Sequence, residues 1–161
     1  MGRLGEIIEA LKKLLRDDRG SIGGDPTRPP KAPIDPDVEA ARVRGLGVDP
    51  AQGGKFNPNE AATAVRIEKQ LGITLDRNAD GYVDWEDRST APPTTYDAVG
   101  PFEGQYFDRS WPNLQKQILK HLGYSDMVPV DVSGFTPAQT ARVRQFIKDN
   151  ELSPRAFLVG N

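Results

Sequence analysis

The sequence of 161 residues contains no cysteine and a single histidine, His121. The absence of cysteine excludes disulfide bonds and thiolate metal sites, so carboxylates, amides and one imidazole remain as side-chain metal ligands. Such ligands favour hard cations or no metal at all. The chain also lacks an excess of either charge, with 21 basic and 23 acidic residues. Overall charge therefore gives no general argument for nucleic-acid binding, which would need local clustering.

Long apolar runs are missing as well. No run approaches the roughly 18 residues that a membrane-spanning helix needs, so we expect a soluble chain without a membrane span. The composition is 37% hydrophobic and 7% aromatic. That composition is enough for one ordinary globular domain with some accessory sequence.

Three segments are distinguished by their composition. The run "RLGEIIEALKKLLRDDRG" has apolar residues at helical spacing and predicts an N-terminal amphipathic helix within residues 1–20. Residues 21–54 are rich in proline and glycine and predict a linker, with a short helix that is capped by Asp35 and ends at Gly45. Residues 55–161 show the regular pattern of a compact α/β domain.

The compact domain reads as one helix, three strands, and then helix, strand, helix and strand. Its first helix has Asn57 as N-cap and Gly72 beyond its end. The runs "ITLDR", "GYVDW" and "TTYDAVG" predict a three-stranded meander. They are followed by the helix "SWPNLQKQILKHLG", the strand "MVPVDVS", a helix opened by a Thr136/Gln139 capping box, and the strand "RAFLVG".

The stretch "TLDRNADGYVDWED" spaces its polar residues almost as a calcium loop does: Asp76, Asn78, Asp80, Gly81, Asp84 and Asp87. The helices of an EF-hand are missing, because Gly72 ends the preceding helix and Pro92 and Pro93 prevent a following one. A turn between strands is therefore favoured, and a contribution of Asp80 or Asp84 to a catalytic site stays open. The non-catalytic alternative is a binding module stabilised by calcium.

Two further acids occupy positions where a charge is unexpected. Glu60 lies on the same helical stripe as Ala64 and Ile67, so it points along the face that packs on the sheet, although it also fits a capping box with Asn57. Asp97 lies within a predicted strand, where a carboxylate is costly to bury without compensation. A salt bridge would compensate it, and so would a metal with its substrate.

The helix after the meander carries polar residues beside its apolar stripe. Gln115 lies inside the apolar arc, whereas Lys116 lies outside it but is long enough to reach a neighbouring site. His121 flanks the buried face, where a structural role or an interface is the simpler interpretation. General acid or base roles for these three residues form a metal-independent alternative.

The runs "NEAATAVRIEKQLGI", "TYDAVG", "WPNLQKQILKHL" and "MVPVDVSGFTPAQTARVRQFI" carry a resemblance to a known family. From about Lys55 to Asn161 the chain resembles the C-terminal tRNase toxin domain of contact-dependent growth inhibition (CdiA-type) proteins and related bacterial polymorphic toxins. The segment before Lys55 would then end a delivery region. The resemblance implies a toxin that is secreted or delivered from a cell surface as part of a larger protein. It also implies cleavage of tRNA in the cytoplasm of the target cell, and a cognate immunity protein.

The resemblance further implies an α/β fold with a PD-(D/E)xK nuclease-like core. Carried over to this sequence, the acids that hold a divalent metal, expected to be Mg²⁺, would be Glu60, Asp80 and Asp97. Asp84 competes with Asp80 for the hairpin position. The family's lysine is missing two residues after Asp97, so Lys116 on the following helix would replace it and Gln115 would assist catalysis.

Overall fold

The structure is a computed structural model, and it describes residues 33–161. The helix predicted within residues 1–20 and the first part of the predicted linker lie outside the described residues. Ala40–Asn161 form one compact unit, which contains the sheets and the candidate site.

The described residues form four α-helices: α1 (Pro36–Leu46), α2 (Pro58–Leu71), α3 (Phe107–Leu122) and α4 (Pro137–Asp149). The predicted ends of α2 are confirmed, because the Asn57 side chain accepts hydrogen bonds from the first turn and Gly72 closes the helix at φ 67°. The capping box of Thr136 and Gln139 on α4 is confirmed too. The short helix α1 continues one residue past its predicted stop at Gly45.

Seven short strands accompany these helices: β1 (Val48–Asp49), β2 (Lys55–Phe56), β3 (Asp76–Arg77), β4 (Trp85–Asp87), β5 (Thr94–Tyr96), β6 (Val128–Asp131) and β7 (Ala156–Val159). Strands β3, β4 and β5 form the predicted antiparallel meander, and β6 pairs with β7 in parallel. Parallel bridges from Tyr96 to Met127 and from Val99 to Val130 place β5 beside β6. The fold is therefore mixed α/β, with four helices and small sheets in the described part of the chain.

The second strand of the meander begins later than predicted. The run "GYVDW" predicted a strand from Gly81, but β4 starts at Trp85. The side chain of Asn78 accepts a hydrogen bond from the Tyr82 backbone at 3.3 Å, and the Asn78 N–H donates to the Asp84 carbonyl at 3.1 Å. Gly81 adopts a left-handed φ of 66° within this loop. These local hydrogen bonds make residues 78–84 a turn instead of a strand.

The main apolar core lies between β6 and the helices α3 and α4. Val128 and Val130 are fully buried there, with Ile118 of α3 and Val143 of α4 in the same cluster. Because side chains alternate across a strand, Asp131 points to the opposite face, where it meets α2. The core thus fixes α3 against the sheet. None of the helices in residues 33–161 is long and apolar enough to span a membrane.

Residues 40–54, which the sequence placed in a linker, lie in the same compact unit as the domain. Leu46 is buried, and its carbonyl accepts hydrogen bonds from Trp85 Nε1 at 2.8 Å and from Arg77 Nη1 at 3.1 Å. A Cβ at Gly81 would come within 2.9 Å of the Ala51 side chain. This segment therefore supports the β3–β4 hairpin directly.

Candidate active site

A cavity of about 210 Å³ opens beside α2, the end of the β3–β4 hairpin and the last turn of α3. Its polar lining consists of Asn57, Asn59, Glu60, Thr63, Asp84, Asp97 and His121. Two of these residues, Glu60 and Asp97, are predicted site residues. The cavity therefore joins acids that lie far apart in the sequence.

Asp97 is the most heavily engaged of these acids. It follows β5 directly and is 7% exposed. Its Oδ1 accepts a hydrogen bond from the Asp84 backbone N–H at 3.1 Å, and its Oδ2 accepts one from the Tyr124 hydroxyl at 2.9 Å. The same Oδ2 lies 2.6 Å from Nδ1 of His121. The compensation that burial requires is thus the contact with His121, which is an ion pair when the imidazole is protonated, and two hydrogen bonds.

His121 contributes the cationic partner. Its Nδ1 is close to Asp97 but poorly aligned for a linear hydrogen bond, so the contact is best described as an ion pair. Burial lowers the pKa of His121, but the contact with Asp97 and the charges of Asp97 and Asp84 outweigh burial and raise the pKa above its ordinary value. Burial and the bond to Asp97 also raise the pKa of Tyr124. The site therefore favours the protonated form of the imidazole more than water does.

Asp84 faces the same cavity from the end of the turn, directly before β4. Its Oδ2 accepts a hydrogen bond from the Ala98 N–H at 2.9 Å, so the backbones around Asp84 and Asp97 bind each other's side chains. Burial, followed by the charges of Asp97 and Glu60, raises the pKa of Asp84 to about 7, although the Ala98 bond and the Arg77 charge oppose the shift. Asp84 can therefore exchange a proton near neutral pH.

Glu60 reaches the cavity from the first turn of α2. Its Oε2 lies 2.8 Å from Nη1 of Arg77, and its Oε1 accepts a hydrogen bond from the Asn57 side chain at 3.2 Å. Arg77 also lies 3.4 Å from Asp49 and 3.9 Å from Asp84, while its buried Nε has no hydrogen-bond partner among the described residues. The Arg77 guanidinium is thus a positive charge shared by Glu60, Asp49 and Asp84.

The other predicted site residues lie outside this cavity. Asp80 is exposed at the tip of the hairpin turn, so Asp84 is the hairpin acid that faces the cavity. Gln115 lines a different cavity, beside Trp111 and Arg142, and Lys116 is exposed on α3. Lys116 misses the cavity because of its position on the helix. It lies five positions before His121, so the two side chains point about 140° apart around the helix axis.

Sequence reasoning named His121 but favoured a structural or interface role for it. The available signal was its position three residues after the buried Ile118, at the border of the apolar stripe. The sequence could not show that the end of α3 meets Asp97, 24 residues earlier in the chain. Tyr124, just beyond α3, was missed for the same reason.

Among residues 33–161, no group of three or more histidine and acidic side chains is placed to hold a metal ion. The acids of the calcium-like stretch also have separate partners. Asp84 binds the Ala98 backbone, Asp87 accepts from Ser89 N–H at 2.9 Å, and Asp76 lies 3.9 Å from Arg88. The turn interpretation of this stretch therefore agrees with the structure better than a calcium loop does.

Comparisons with known proteins agree with this picture. No family model matches the chain. A protein named tRNA nuclease CdiA, from Burkholderia pseudomallei, is 34% identical over 96 residues, which are 52% of this chain and 7% of that protein. The chain therefore spans a small fraction of the length of this curated relative.

A solved structure matches the fold. It is the CdiA-CT toxin from Burkholderia pseudomallei E479 in complex with its cognate CdiI immunity protein, with a TM-score of 0.54 and 26% sequence identity. The match covers 64% of this chain and 99% of the toxin. A sequence relative and a solved structure thus confirm the resemblance of this chain to the C-terminal toxin domain of CdiA proteins.

Proposed function

We propose that this chain is the tRNA nuclease toxin domain of a larger CdiA-type protein, which acts in the cytoplasm of a target cell and is neutralised by a cognate immunity protein. The observation that carries the proposal is the match to 99% of a CdiA-CT toxin structure. The cavity adds a chemical argument, because it collects Glu60, Asp84, Asp97 and His121 in one place. The pKa values of Asp84 and His121 are raised, and titratable groups with perturbed pKa values cluster at catalytic centres.

The side chains of the cavity suit cleavage of a phosphodiester. The His121 imidazolium is held by Asp97 and can donate its proton to a departing oxygen or offset charge on the phosphate. Asp84 has a pKa of about 7, so it can accept a proton from the attacking group near neutral pH. Asp97 orients the imidazole, and Tyr124 fixes Asp97 in turn.

We extend the proposal to a PD-(D/E)xK-like core with a divalent cation, which would be Mg²⁺. The donors would be Glu60 on α2, Asp84 in place of the predicted Asp80, and Asp97 after β5. The three carboxylates offer only oxygen ligands, which suit a hard cation. A bound cation would also offset the like charges that help to raise the pKa of Asp84. The cation would supply positive charge toward the phosphate and activate water. Since no three acids of residues 33–161 are placed to hold a metal ion, cation binding would require the three carboxylates to converge and Glu60 to leave Arg77. With the cation bound, Asp84 would act as a ligand and not as a proton acceptor.

The predicted catalytic roles of Asp80, Gln115 and Lys116 stay predictions. Lys116 is exposed on α3 with Arg109 and Lys120, which lie 7 residues before and 4 residues after it on the same helix face. That arrangement suits contact with the RNA backbone better than proton transfer. Recognition of tRNA would then depend on shape and phosphate contacts, and the immunity protein would have to cover the cavity or this face.

Incubation of the purified chain with total tRNA, with and without EDTA, tests the proposal. We expect discrete tRNA fragments in Mg²⁺, no fragments in EDTA, and recovery when Mg²⁺ is restored in excess. Equal cleavage in EDTA would exclude the cation and leave His121 and Asp97 to carry the reaction. Intact tRNA under every condition, with a folded chain, would contradict the nuclease assignment.

A further inference from the structure

Tyr82 is the most exposed large hydrophobic side chain in residues 33–161, with 68% of its surface accessible. Single exposed apolar residues are common and need no functional explanation by themselves. The position of Tyr82 is what distinguishes it, because the β3–β4 turn holds it beside the candidate active site.

A chain of ring contacts connects Tyr82 to the catalytic groups. Its ring lies 5.6 Å from that of Tyr124 in an edge-to-face arrangement, at an interplanar angle of 62°. Tyr124 lies 5.5 Å from the His121 ring and donates its hydroxyl proton to Asp97. Tyr82 is thus separated from both Asp97 and His121 by one side chain. The edge-to-face contact leaves part of the Tyr82 ring uncovered.

The turn that presents Tyr82 is well supported. The Tyr82 backbone N–H donates to the Asn78 side chain at 3.3 Å, and the preceding Gly81 closes the turn at φ 66°. Gly81 packs against Ala51 so closely that an added Cβ would lie 2.9 Å from the Ala51 Cβ. A pre-positioned ring loses little conformational entropy when it binds a flat partner.

We propose that Tyr82 is a stacking platform for an unpaired RNA base next to the phosphate that is cleaved. Unpaired bases of RNA stack on exposed aromatic rings, and such stacking tolerates any base. The site would therefore select substrates that offer an unstacked nucleotide at the cleavage position. This inference rests on the proposed nuclease function, since it names a subsite of the same active site.

The test compares four variants in tRNA cleavage. Tyr82→Ala and Tyr82→Leu remove the aromatic ring, Tyr82→Phe keeps it, and Tyr106→Ala is the matched control. Tyr106 is also an exposed tyrosine, 43% accessible, but it precedes the first residue of α3, while His121 is near the last. We expect the first two variants to raise KM about tenfold, or about 1.4 kcal/mol, with kcat within about twofold of wild type. Tyr82→Phe should match wild type. Tyr106→Ala removes a ring that packs on Arg109, so any rise in its KM should stay well below that of Tyr82→Ala.

Binding measured without cleavage separates this inference from the proposed function. The probe is a single-stranded oligoribonucleotide that contains 2-aminopurine, whose fluorescence falls when it stacks. Quenching by the wild-type chain and by Tyr82→Phe, but not by Tyr82→Leu, would support the platform even if tRNA stayed uncut. Equal quenching and equal KM for wild type and Tyr82→Leu would overturn it. A loss confined to immunity-protein binding, or a fall in Tm and kcat without a change in KM, would overturn it as well.

Discussion

Two aspartates on adjacent segments of the sheet are buried to nearly the same extent but surrounded differently. Asp131, at the end of β6, is 0% exposed. It accepts hydrogen bonds from Thr63 Oγ1 at 2.6 Å, Arg66 Nη1 at 2.8 Å and the Ser133 N–H at 3.0 Å. Asp97 also has three partners, but its cation is a titratable histidine.

The larger difference between the two aspartates is that a second acid, Asp84, lies beside Asp97. At Asp131 the compensating cation is Arg66, whose guanidinium stays charged at all ordinary pH values. Asp97 shares its cavity with Asp84, whose pKa rises to about 7 because of burial and of like charge from Asp97 and Glu60. Burial of a carboxylate therefore does not by itself indicate function. A second acid beside it, which Arg77 compensates only in part, does indicate function, because folding alone would not favour that arrangement.

The largest stability effect should come from the structural aspartate. Asp131→Ala would leave the buried Thr63 hydroxyl and the Arg66 guanidinium without their acceptor. We expect the free energy of unfolding to fall by about 3 kcal/mol, at the low end for a broken buried pair because Arg66 is partly exposed. Denaturant unfolding measures the loss.

The matched control for this variant is Asp97→Ala, which removes a similarly buried carboxylate. Its loss of contacts is partly offset by relief of repulsion on Asp84, so we expect a cost of about 1 kcal/mol. Equal costs for the two variants would remove the distinction between the two aspartates.

An effect smaller than that of Asp131→Ala should appear in the pH dependence of stability. Asp84 titrates at about 7 in the folded chain but near 3.8 when unfolded, so the folded state holds the proton more tightly. Stability should therefore fall by about 2 kcal/mol as the pH rises from about 5.5 to about 7.5. The raised pKa of His121 acts in the same direction, because its stabilisation is also lost as the pH rises.

Asp84→Asn removes the larger of these two titrations. We expect the decline over the same pH range to shrink to less than about 1 kcal/mol, as measured by urea unfolding at a series of pH values. A variant whose stability falls as steeply as that of the wild type would show that another group is responsible.

The sequence predicted the elements whose signals are local. The Asn57 and Gly72 caps fixed α2, the Thr136/Gln139 box fixed the start of α4, and the order of helices and strands followed from periodicity. The start of β4 was predicted wrongly because the Asn78 side chain competes for the backbone of the turn. The packing of residues 40–54 was hidden by their glycine and proline content.

The site was predictable only in part. Burial of a charge in a strand pointed to Asp97, and the helical wheel pointed to Glu60, and both line the cavity. The choice between Asp80 and Asp84 depended on the geometry of the turn, which spacing alone does not determine. The partnership of His121 with Asp97 is a long-range contact, so no local pattern could reveal it.

If the cavity containing Asp97 cleaves tRNA, the cleavage rate of Asp97→Asn should differ sharply from that of Asp80→Asn. Both variants remove one negative charge from the same region, but only Asp97 lines the cavity. We expect Asp97→Asn to slow cleavage by at least about 100-fold while the chain stays folded, and Asp80→Asn to stay within about twofold of wild type. A folded Asp97→Asn that cuts tRNA at the wild-type rate, or an equal loss in Asp80→Asn, would contradict tRNA cleavage by this cavity.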